Sequence, residues 1–192
     1  AFEREGHELY VLEFPTQGKT LVYDGTTNEW VRWGFWSSNA NDFLAWRPRW
    51  HCKAFDRNLV GDGSGAGLYS LSSTVYTDVG GDELRWLRRS PHLSAENVRL
   101  FFDFFELECA RGVGTTAGQG VDPLISLRYS DDGGKTWSDA RTRELGALGE
   151  YDTRVRWDCC GSGRDRGWEV SGSDPVAIEV IDAFVGVTKG LH

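Results

Sequence analysis

The eight residues from Ser130 to Trp137, Ser-Asp-Asp-Gly-Gly-Lys-Thr-Trp, constrain the fold of this chain more than any other stretch. They follow an alternating run, Leu124 to Tyr129, of the kind that forms β-strands. The central Asp-Asp-Gly-Gly supplies residues that tolerate a positive φ angle, as a tight turn requires. We expect Thr136 and Trp137 to begin the return strand. The stretch therefore predicts a β-hairpin.

The two acids of this stretch, Asp131 and Asp132, allow a structural and a functional interpretation. An Asp side chain can accept hydrogen bonds from the N–H groups of a turn, and a large indole can fold back over it. A calcium loop needs a different spacing of oxygen ligands, and the stretch has no histidine nearby. The sequence therefore favours turn stabilisation over catalysis or metal binding.

The pattern Ser-x-Asp-x-Gly-x-Thr-Trp resembles the Asp-box, a hairpin found in sialidases and other β-propellers. Its positions are filled here by Ser130, Asp132, Gly134, Thr136 and Trp137. The resemblance implies a structural role for these five residues. We expect no catalytic, cofactor-binding or metal-binding residue in the chain, no cofactor and no enzymatic activity.

Composition and charge narrow the class of protein. With 192 residues the chain is long enough for one substantial domain, and 40% hydrophobic residues with 9 Trp and 10 Phe indicate an ordered globular protein. The net charge of −8 does not give the basic surface expected of a nucleic-acid binder. No run approaches the roughly 18 apolar residues of a membrane span, so we expect no membrane to be required.

The four cysteines, Cys52, Cys109, Cys159 and Cys160, show no paired C-x-x-C spacing, and two of them are adjacent. This pattern suits neither a zinc site nor an ordinary disulfide framework. We expect reduced, mostly buried thiols.

Short alternating runs between turn residues predict β-structure near the start of the chain. Three strands are expected at residues 8–14, 20–23 and 29–33, within the length of one propeller blade. Tyr23, Asp24, Thr27 and Trp30 resemble the corresponding residues of kelch-type blades. A glycine-rich hairpin loop is expected at residues 61–67.

Residues Gly34 to Lys53 are rich in Trp, Arg and Asn and show no clear period, so we expect a loop with one strand. Aromatic rings interleaved with arginines can stack on bases or sugars, which would make this a contact surface. Large aromatic side chains more often serve burial, and the sequence favours that interpretation.

Two later segments are informative. Residues 94–109 fit either a helix capped by Ser94 or a strand with apolar side chains on both faces, and the Phe-rich composition favours the doubly buried strand. Residues 151–158 alternate cleanly, with Tyr151 and Trp157 on one face and Arg154 and Arg156 on the other. The arginines could clamp an anion, but the flanking acids favour a face whose charges compensate one another.

The C-terminal half contains, in order, several strings that together resemble one family. These strings are Gly112-Val113-Gly114, Asp122-Pro123, the Ser130–Trp137 stretch, Gly149-Glu150-Tyr151 with Arg154-Val155-x-Trp157, and Ser173-Asp174-Pro175. The family is the packaged-DNA stabilisation proteins, or tail nozzle and hub proteins, of short-tailed bacteriophages. Gly6-His7 with Tyr10-Val11-Leu12, and the residues from Val22 to Trp30, are similar to its preceding blades.

This resemblance implies a structural phage tail protein that helps close the portal channel and retain packaged DNA. It further implies a homo-oligomeric ring, a hexamer in that family, with other tail and portal-adaptor proteins as partners. Double-stranded DNA would lie in the lumen without sequence-specific binding. The expected location is the virion tail, with assembly in the host cytoplasm.

The fold class expected from these observations is all-β, with propeller-like blades of antiparallel strands. We expect a single domain over residues 1–192, divided into a kelch-like blade at 1–53, a second blade at 54–93, and the Asp-box blade with closing strands at 94–192. At roughly 45 residues per blade the length allows about four blades. An incomplete propeller, or the C-terminal portion of a longer chain, would be consistent with this length.

Two other functions fit parts of the sequence. A sialidase-like glycosidase is suggested by the Asp-box, but no set of arginines with a Tyr-Glu pair and a positioned acid stands out. A glycan- or protein-binding module is suggested by the Trp-rich region from Gly34 to Trp50, provided that Trp36, Trp46 and Trp50 are exposed.

Overall fold

A computed structural model describes residues 1–63 and 65–190; Ser64, in the predicted 61–67 loop, and the last two residues lie outside it. The chain divides into two compact units, Ala1–Gly81 and Asp82–His192. The described residues form strands, turns and two short 3₁₀ segments, with no α-helix among them. The all-β expectation is confirmed. Within the described ranges, no helix has the length and apolar character needed to cross a bilayer.

The first unit consists of antiparallel meanders. Strands β1 to β5 form a five-stranded sheet in sequence order, and β6 to β8 form a three-stranded sheet. Their bounds are Phe2–Arg4 (β1), His7–Phe14 (β2), Lys19–Asp24 (β3), Glu29–Ser37 (β4), Asp42–Ala45 (β5), Pro48–Ala54 (β6), Arg57–Asp62 (β7) and Leu68–Ser70 (β8). The three strands predicted at the start of the chain are confirmed.

Asp24, at the end of β3, organises the turn that leads into β4. Its carboxylate accepts hydrogen bonds from the backbone N–H of Thr26 and the hydroxyl of Thr27, both at 2.9 Å, and lies 2.7 Å from Nδ1 of His7. Asn28 then adopts a φ of 60°, a left-handed conformation that Asn tolerates better than most residues. Although burial opposes ionisation of Asp24, these hydrogen bonds lower its pKa.

The expectation of a loop with one strand over residues 34–53 is wrong. This segment contains the end of β4, all of β5 and most of β6. Trp36 lies opposite Phe43 in the β4–β5 pair, with ring centroids 5.1 Å apart. Cross-strand aromatic pairs of this kind stabilise a hairpin without a regular polar alternation, which explains why the period was not visible.

The second unit contains two antiparallel sheets. The first has the order β10-β16-β12-β13, and β9 also pairs with β16; in the second, β14, β15 and β17 all pair with β11. The bounds are Trp86–Arg89 (β9), Leu93–Ser94 (β10), Leu100–Cys109 (β11), Leu124–Ser130 (β12), Arg141–Glu144 (β13), Val155–Asp158 (β14), Ser162–Gly163 (β15), Asp165–Gly172 (β16) and Val180–Lys189 (β17).

The two sheets of the second unit enclose one hydrophobic core. Phe102 and Phe105 of β11 lie against Trp168 of β16, at ring-centroid distances of 5.5 and 5.0 Å. Buried residues of β12 and β14 complete the same cluster. Sheets that share a core face to face form a sandwich. This arrangement differs from the radial packing of blades that we expected for residues 94–192.

A bulge in β11 explains the apolar residues on both faces of the predicted strand. The pairing of β11 with β17 shifts register between Phe102 and Phe104. Before the bulge Phe102 points into the core, and after it Phe105 does, whereas Phe101 is 46% exposed. The expectation of a strand buried on both faces is therefore wrong: one face is buried, and an extra residue changes which positions belong to it.

Two strand boundaries also differ from expectation. Thr136 and Trp137 do not begin the return strand, because β13 starts only at Arg141, which lies opposite Leu127. In the 151–158 run, only Val155–Asp158 forms a strand, and Tyr151 is 67% exposed in a turn. An alternating sequence forms a strand only where a partner strand is present, and here only residues 155–158 pair with β11.

The division into units lies inside the expected second blade at residues 54–93. Its N-terminal part contributes β7 and β8 to the first unit, whereas β9 pairs with β16 in the second unit.

Of the four cysteines, Cys109 and Cys160 are buried, Cys52 and Cys159 are exposed, and all four are free thiols. The expectation of reduced thiols agrees with this, but only half of them are buried.

Replacing Trp157 by Ala should lower the free energy of unfolding by about 3–5 kcal/mol, the usual cost of removing a large buried aromatic. Trp157 is fully buried and donates its indole N–H to the carbonyl of Arg141. Tyr151→Ala, from the same alternating run, should cost less than about 1 kcal/mol because Tyr151 is exposed. Denaturant unfolding of both variants checks this, and equal losses would contradict the assigned core.

Candidate functional site

The turn after β12 is organised by the carboxylate of Asp132. Its Oδ1 accepts hydrogen bonds from the backbone N–H groups of Lys135 and Thr136, both at 2.9 Å, and from the hydroxyl of Ser130 at 2.7 Å. Its Oδ2 accepts the hydroxyl of Thr136 at 2.6 Å. One carboxylate therefore satisfies several donors of the turn, as Asp side chains do in Asx-type turns.

Two glycines allow the chain to fold around this carboxylate. Gly133 and Gly134 have φ angles of 76° and 83°, which residues with a Cβ adopt only at a cost. The N–H of Gly134 donates to the hydroxyl of Ser130 at 2.9 Å, and the ring of Trp137 lies against Gly134. The five residues that resemble the Asp-box therefore lie together around the same turn.

The hydrogen bonds to Asp132 hold the pKa of its carboxyl well below the usual range. The hydroxyl and the backbone N–H of Thr136 contribute most, followed by the hydroxyl of Ser130. These donors favour the charged form, so the carboxylate is ionised throughout the neutral range. A group held ionised in this way cannot act as a general acid near neutral pH.

Asp131, the neighbour of Asp132, forms an ion pair with Arg166 of β16. Both Asp131 oxygens accept hydrogen bonds from the guanidinium, from Nε and Nη2, each at 2.6 Å. The Arg166 side chain is only 1% exposed, whereas that of Asp131 is 38% exposed. An ideal Cβ at Gly163 would lie 2.6 Å from Oδ1 of Asp131, so a glycine is needed there to leave room for the pair.

The remaining contacts of Arg166 connect the two sheets. Its Nη1 donates to the carbonyl of Cys160, just before β15, and its Nη2 donates to the carbonyl of Ser162, in β15 of the second sheet, at 3.3 Å. The guanidinium also stacks on Tyr129, 3.9 Å from the ring centroid. A buried guanidinium is tolerated only when its donors are satisfied, and Arg166 meets this requirement with groups from both sheets.

A second ion cluster lies on the opposite face of β16. Glu169, whose side chain has no exposed surface, accepts hydrogen bonds from Nε of Arg89 at 2.8 Å and from Nε of Arg128 at 2.9 Å. Both guanidinium groups lie near the ring of Trp137, at 4.9 and 5.5 Å from its centroid. Trp137 therefore joins the turn, through cation–π contacts, to two arginines that share one glutamate.

The two arginines at the start of β14, Arg154 just before the strand and Arg156 within it, are compensated by acids, as the sequence favoured. Arg154 donates to both oxygens of Glu106 at 2.7 Å, and Arg156 donates to Asp158 at 2.8 Å. The hydrogen bonds from Arg154 are the largest cause of the lowered pKa of Glu106. These pairs occupy the groups that could otherwise clamp a phosphate or carboxylate.

One cleft of the first unit lacks the paired carboxyl groups of a glycosidase. A cleft of about 400 Å³ in the first unit is lined by Phe2, Leu9, Tyr10 and Tyr23, and Glu8 is the one carboxylate side chain in its lining. A glycosidase of the usual type needs two carboxyl groups across the scissile bond. Within residues 1–63 and 65–190, no group of three or more His, Cys, Asp or Glu side chains could hold a metal ion.

Residues 85–188 match the protein-family model described as Bacteriophage P22 Gp10, beta-sandwich. This match spans more than half of the chain. The chain belongs to the Bacteriophage P22 Gp10 β-sandwich family. No curated protein matches the chain.

The family's description agrees with the two sheets of the second unit, which share one core and include both Asp131 and Arg166. Membership in the P22 Gp10 family points to a structural protein of the phage tail and to a place in the virion, with other phage proteins as partners. It also suggests a non-enzymatic role. The residues of the turn are therefore best explained by what they do for the fold.

The sequence indicated the turn but not the side chains that hold it. Local sequence does not identify Arg166 and Glu169, because their partners lie far away in the sequence. A charged residue inside the run Gly167-Trp168-Glu169-Val170 was the available signal, since a charge in a central strand requires a partner.

Asp131→Asn should destabilise the second unit by about 1–3 kcal/mol, because it leaves the buried guanidinium of Arg166 without its counter-charge. Partial exposure of Asp131 keeps the loss below that of a fully buried pair. Asp139→Asn, an exposed acid of the same loop, should have almost no effect. Denaturant unfolding measures both, and a loss no larger than that of the control would show that the ion pair contributes nothing.

The difference in stability between the parent chain and Asp132→Asn should shrink in acid. The folded-state pKa of Asp132 is lowered, so the carboxylate contributes stability above its unfolded pKa of about 3.9, and this contribution is lost as the pH falls through the folded pKa. Thermal midpoints between pH 7 and pH 2.5 test this. A difference that stays constant over the range would contradict the role of the charged form.

Proposed function

We propose that this chain is part of a nozzle or hub ring in the phage tail, where it helps close the portal channel and retain packaged DNA. The observation that carries the proposal is the family match over residues 85–188, which coincides with the sandwich of the second unit. The order of short strings along the C-terminal half, from Gly112 to Pro175, supports the same assignment.

The distribution of charge supports a lumen that faces DNA without binding it tightly. The net charge is −8, and several arginines that could bind phosphate are paired with acids of the chain itself. Phosphate contacts from free cations dominate the affinity of proteins for DNA. A lumen built from such subunits lets the double strand pass or rest without sequence-specific binding.

The assembly in this proposal is a homo-oligomeric ring, a hexamer by resemblance, in contact with other tail and portal-adaptor proteins. It forms in the host cytoplasm and functions in the virion. The meanders of the first unit support the blade part of the proposal, because up-and-down sheets of this type build propeller blades. The Asp-box residues Ser130, Asp132, Gly134, Thr136 and Trp137 serve as a structural turn within it.

A binding module is the second candidate, and one observation favours it. Trp50 of β6 is 65% exposed, while Trp36 and Trp46 are partly buried. An exposed indole on a sheet can stack on a sugar ring or enter a protein interface. Loss of binding to a glycan array in Trp50→Ala, with the fold unchanged, would support this candidate, whereas an absence of binding by the parent chain would remove it.

Phage particles assembled without this protein should package DNA but fail to keep it. We expect a roughly tenfold lower ratio of nuclease-protected DNA to capsid protein, restored when the missing protein is supplied during assembly. Quantitative DNA measurement on purified particles checks this. Full retention of DNA in particles that lack the protein would overturn the role in genome retention.

A separate assay tests the non-enzymatic assignment. Hydrolysis of a fluorogenic sialoside by the purified chain would overturn it.

A further inference from the structure

Strand β17 leaves one long edge of the second sheet unpaired. It spans ten residues, Val180–Lys189, whereas most strands have five or six. It pairs with β11 along its whole length, and no other strand among the described residues pairs with it. A row of backbone N–H and C=O groups is therefore available on its outer side.

The usual protection of an edge strand is missing from the middle of β17. Residues 183–188 contain no charge and no proline. One shift in the register with β11 falls at Gly186 and Val187, but its extra residue, Asp103, belongs to β11; the extra residue of β17 itself is Ile181, outside this stretch. Phe184 and Val187 are 48% and 39% exposed. Natural proteins cover or charge such an edge, because an open apolar edge is a template for another strand.

The charges at the two ends of β17 favour one kind of partner strand. Asp182 lies opposite Glu108 at one end, and Lys189 is followed by Gly190, whose N–H donates to the carbonyl of Arg99, at the other. One end is thus acidic and the other basic. A second β17 placed antiparallel brings each acidic end beside a basic end, whereas a parallel copy would bring like charges together.

We propose that β17 is a pairing site for a second copy of this chain, whose own β17 adds antiparallel to it and extends the second sheet across the contact. Backbone hydrogen bonds provide the association, as in other cases of strand addition. The exposed Phe184 and Val187 side chains lose water contact on pairing. The contact relates two chains by a two-fold axis, so it goes beyond the proposed ring and does not depend on it.

Sedimentation velocity of the whole chain between about 2 and 200 µM tests the proposal. The parent chain should shift from 21.5 kDa toward twice that mass as concentration rises. Phe184→Lys should raise the dissociation constant at least tenfold, because it places two like charges in the contact. Leu148→Lys, which changes an apolar residue 60% exposed in a loop, is the matched control and should leave it unchanged. Circular dichroism and thermal midpoints verify that both variants are folded.

An exchange of the terminal charges tests the antiparallel arrangement. Asp182→Lys and Lys189→Asp should each weaken the dimer, by roughly three- to tenfold, since each places like charges side by side. The double variant should recover most of the loss, because acidic and basic ends again meet. This recovery is specific to self-pairing and would not occur with an unrelated partner strand.

Two results would overturn the inference. The first is a parent chain that stays monomeric at 200 µM. The second is a dimer that Phe184→Lys leaves intact, or whose single charge variants weaken it without recovery in the double variant. Neither result bears on genome retention, which is measured on particles and not on the isolated chain.

Discussion

The structure of the second unit depends on one buried cation. Arg166 projects from the central strand β16 and is 1% exposed, and the cost of burying its guanidinium is offset by Asp131 and two backbone carbonyls, which accept hydrogen bonds from it. Asp131 belongs to the turn after β12, and the carbonyls belong to the segment around β15. Satisfying this single side chain therefore requires the turn, the first sheet and the second sheet to be in place together.

The opposite face of β16 also contributes to holding the turn in place. Glu169, three residues after Arg166, binds Arg89 and Arg128, and these stack on Trp137. Side chains of β16 alternate between the faces, so Arg166 binds Asp131 of the turn on one face, and on the other face Glu169 binds the arginines that lie near Trp137. Asp132 meanwhile closes the turn internally. Both acids of this glycine-rich loop are engaged within the protein, Asp132 by donors of the turn and Asp131 by Arg166. This agrees with a structural role in the P22 Gp10 family.

Much of the β-structure could be predicted from local patterns, because alternation and turn residues are local properties. Strands β2 and β3 and the turn at Asp24 are examples. The bulge of β11 could not be predicted, since it depends on the register with β17 and on the carbonyl of Asp103, which accepts the N–H of Cys159. The partner of Asp131 could not be predicted either, because Ser130 and Gly167 become neighbours only when β12 pairs with β16.

A double-mutant cycle between Asp131 and Arg166 tests most directly whether their ion pair holds the turn against the sandwich. Unfolding free energies of Asp131→Asn, Arg166→Gln and the double variant give the coupling energy of the two side chains. The structure predicts a favourable coupling of about 1–3 kcal/mol, with the double variant less destabilised than the sum of the single variants. Additive losses, with a coupling below about 0.5 kcal/mol, would contradict the central place of this pair.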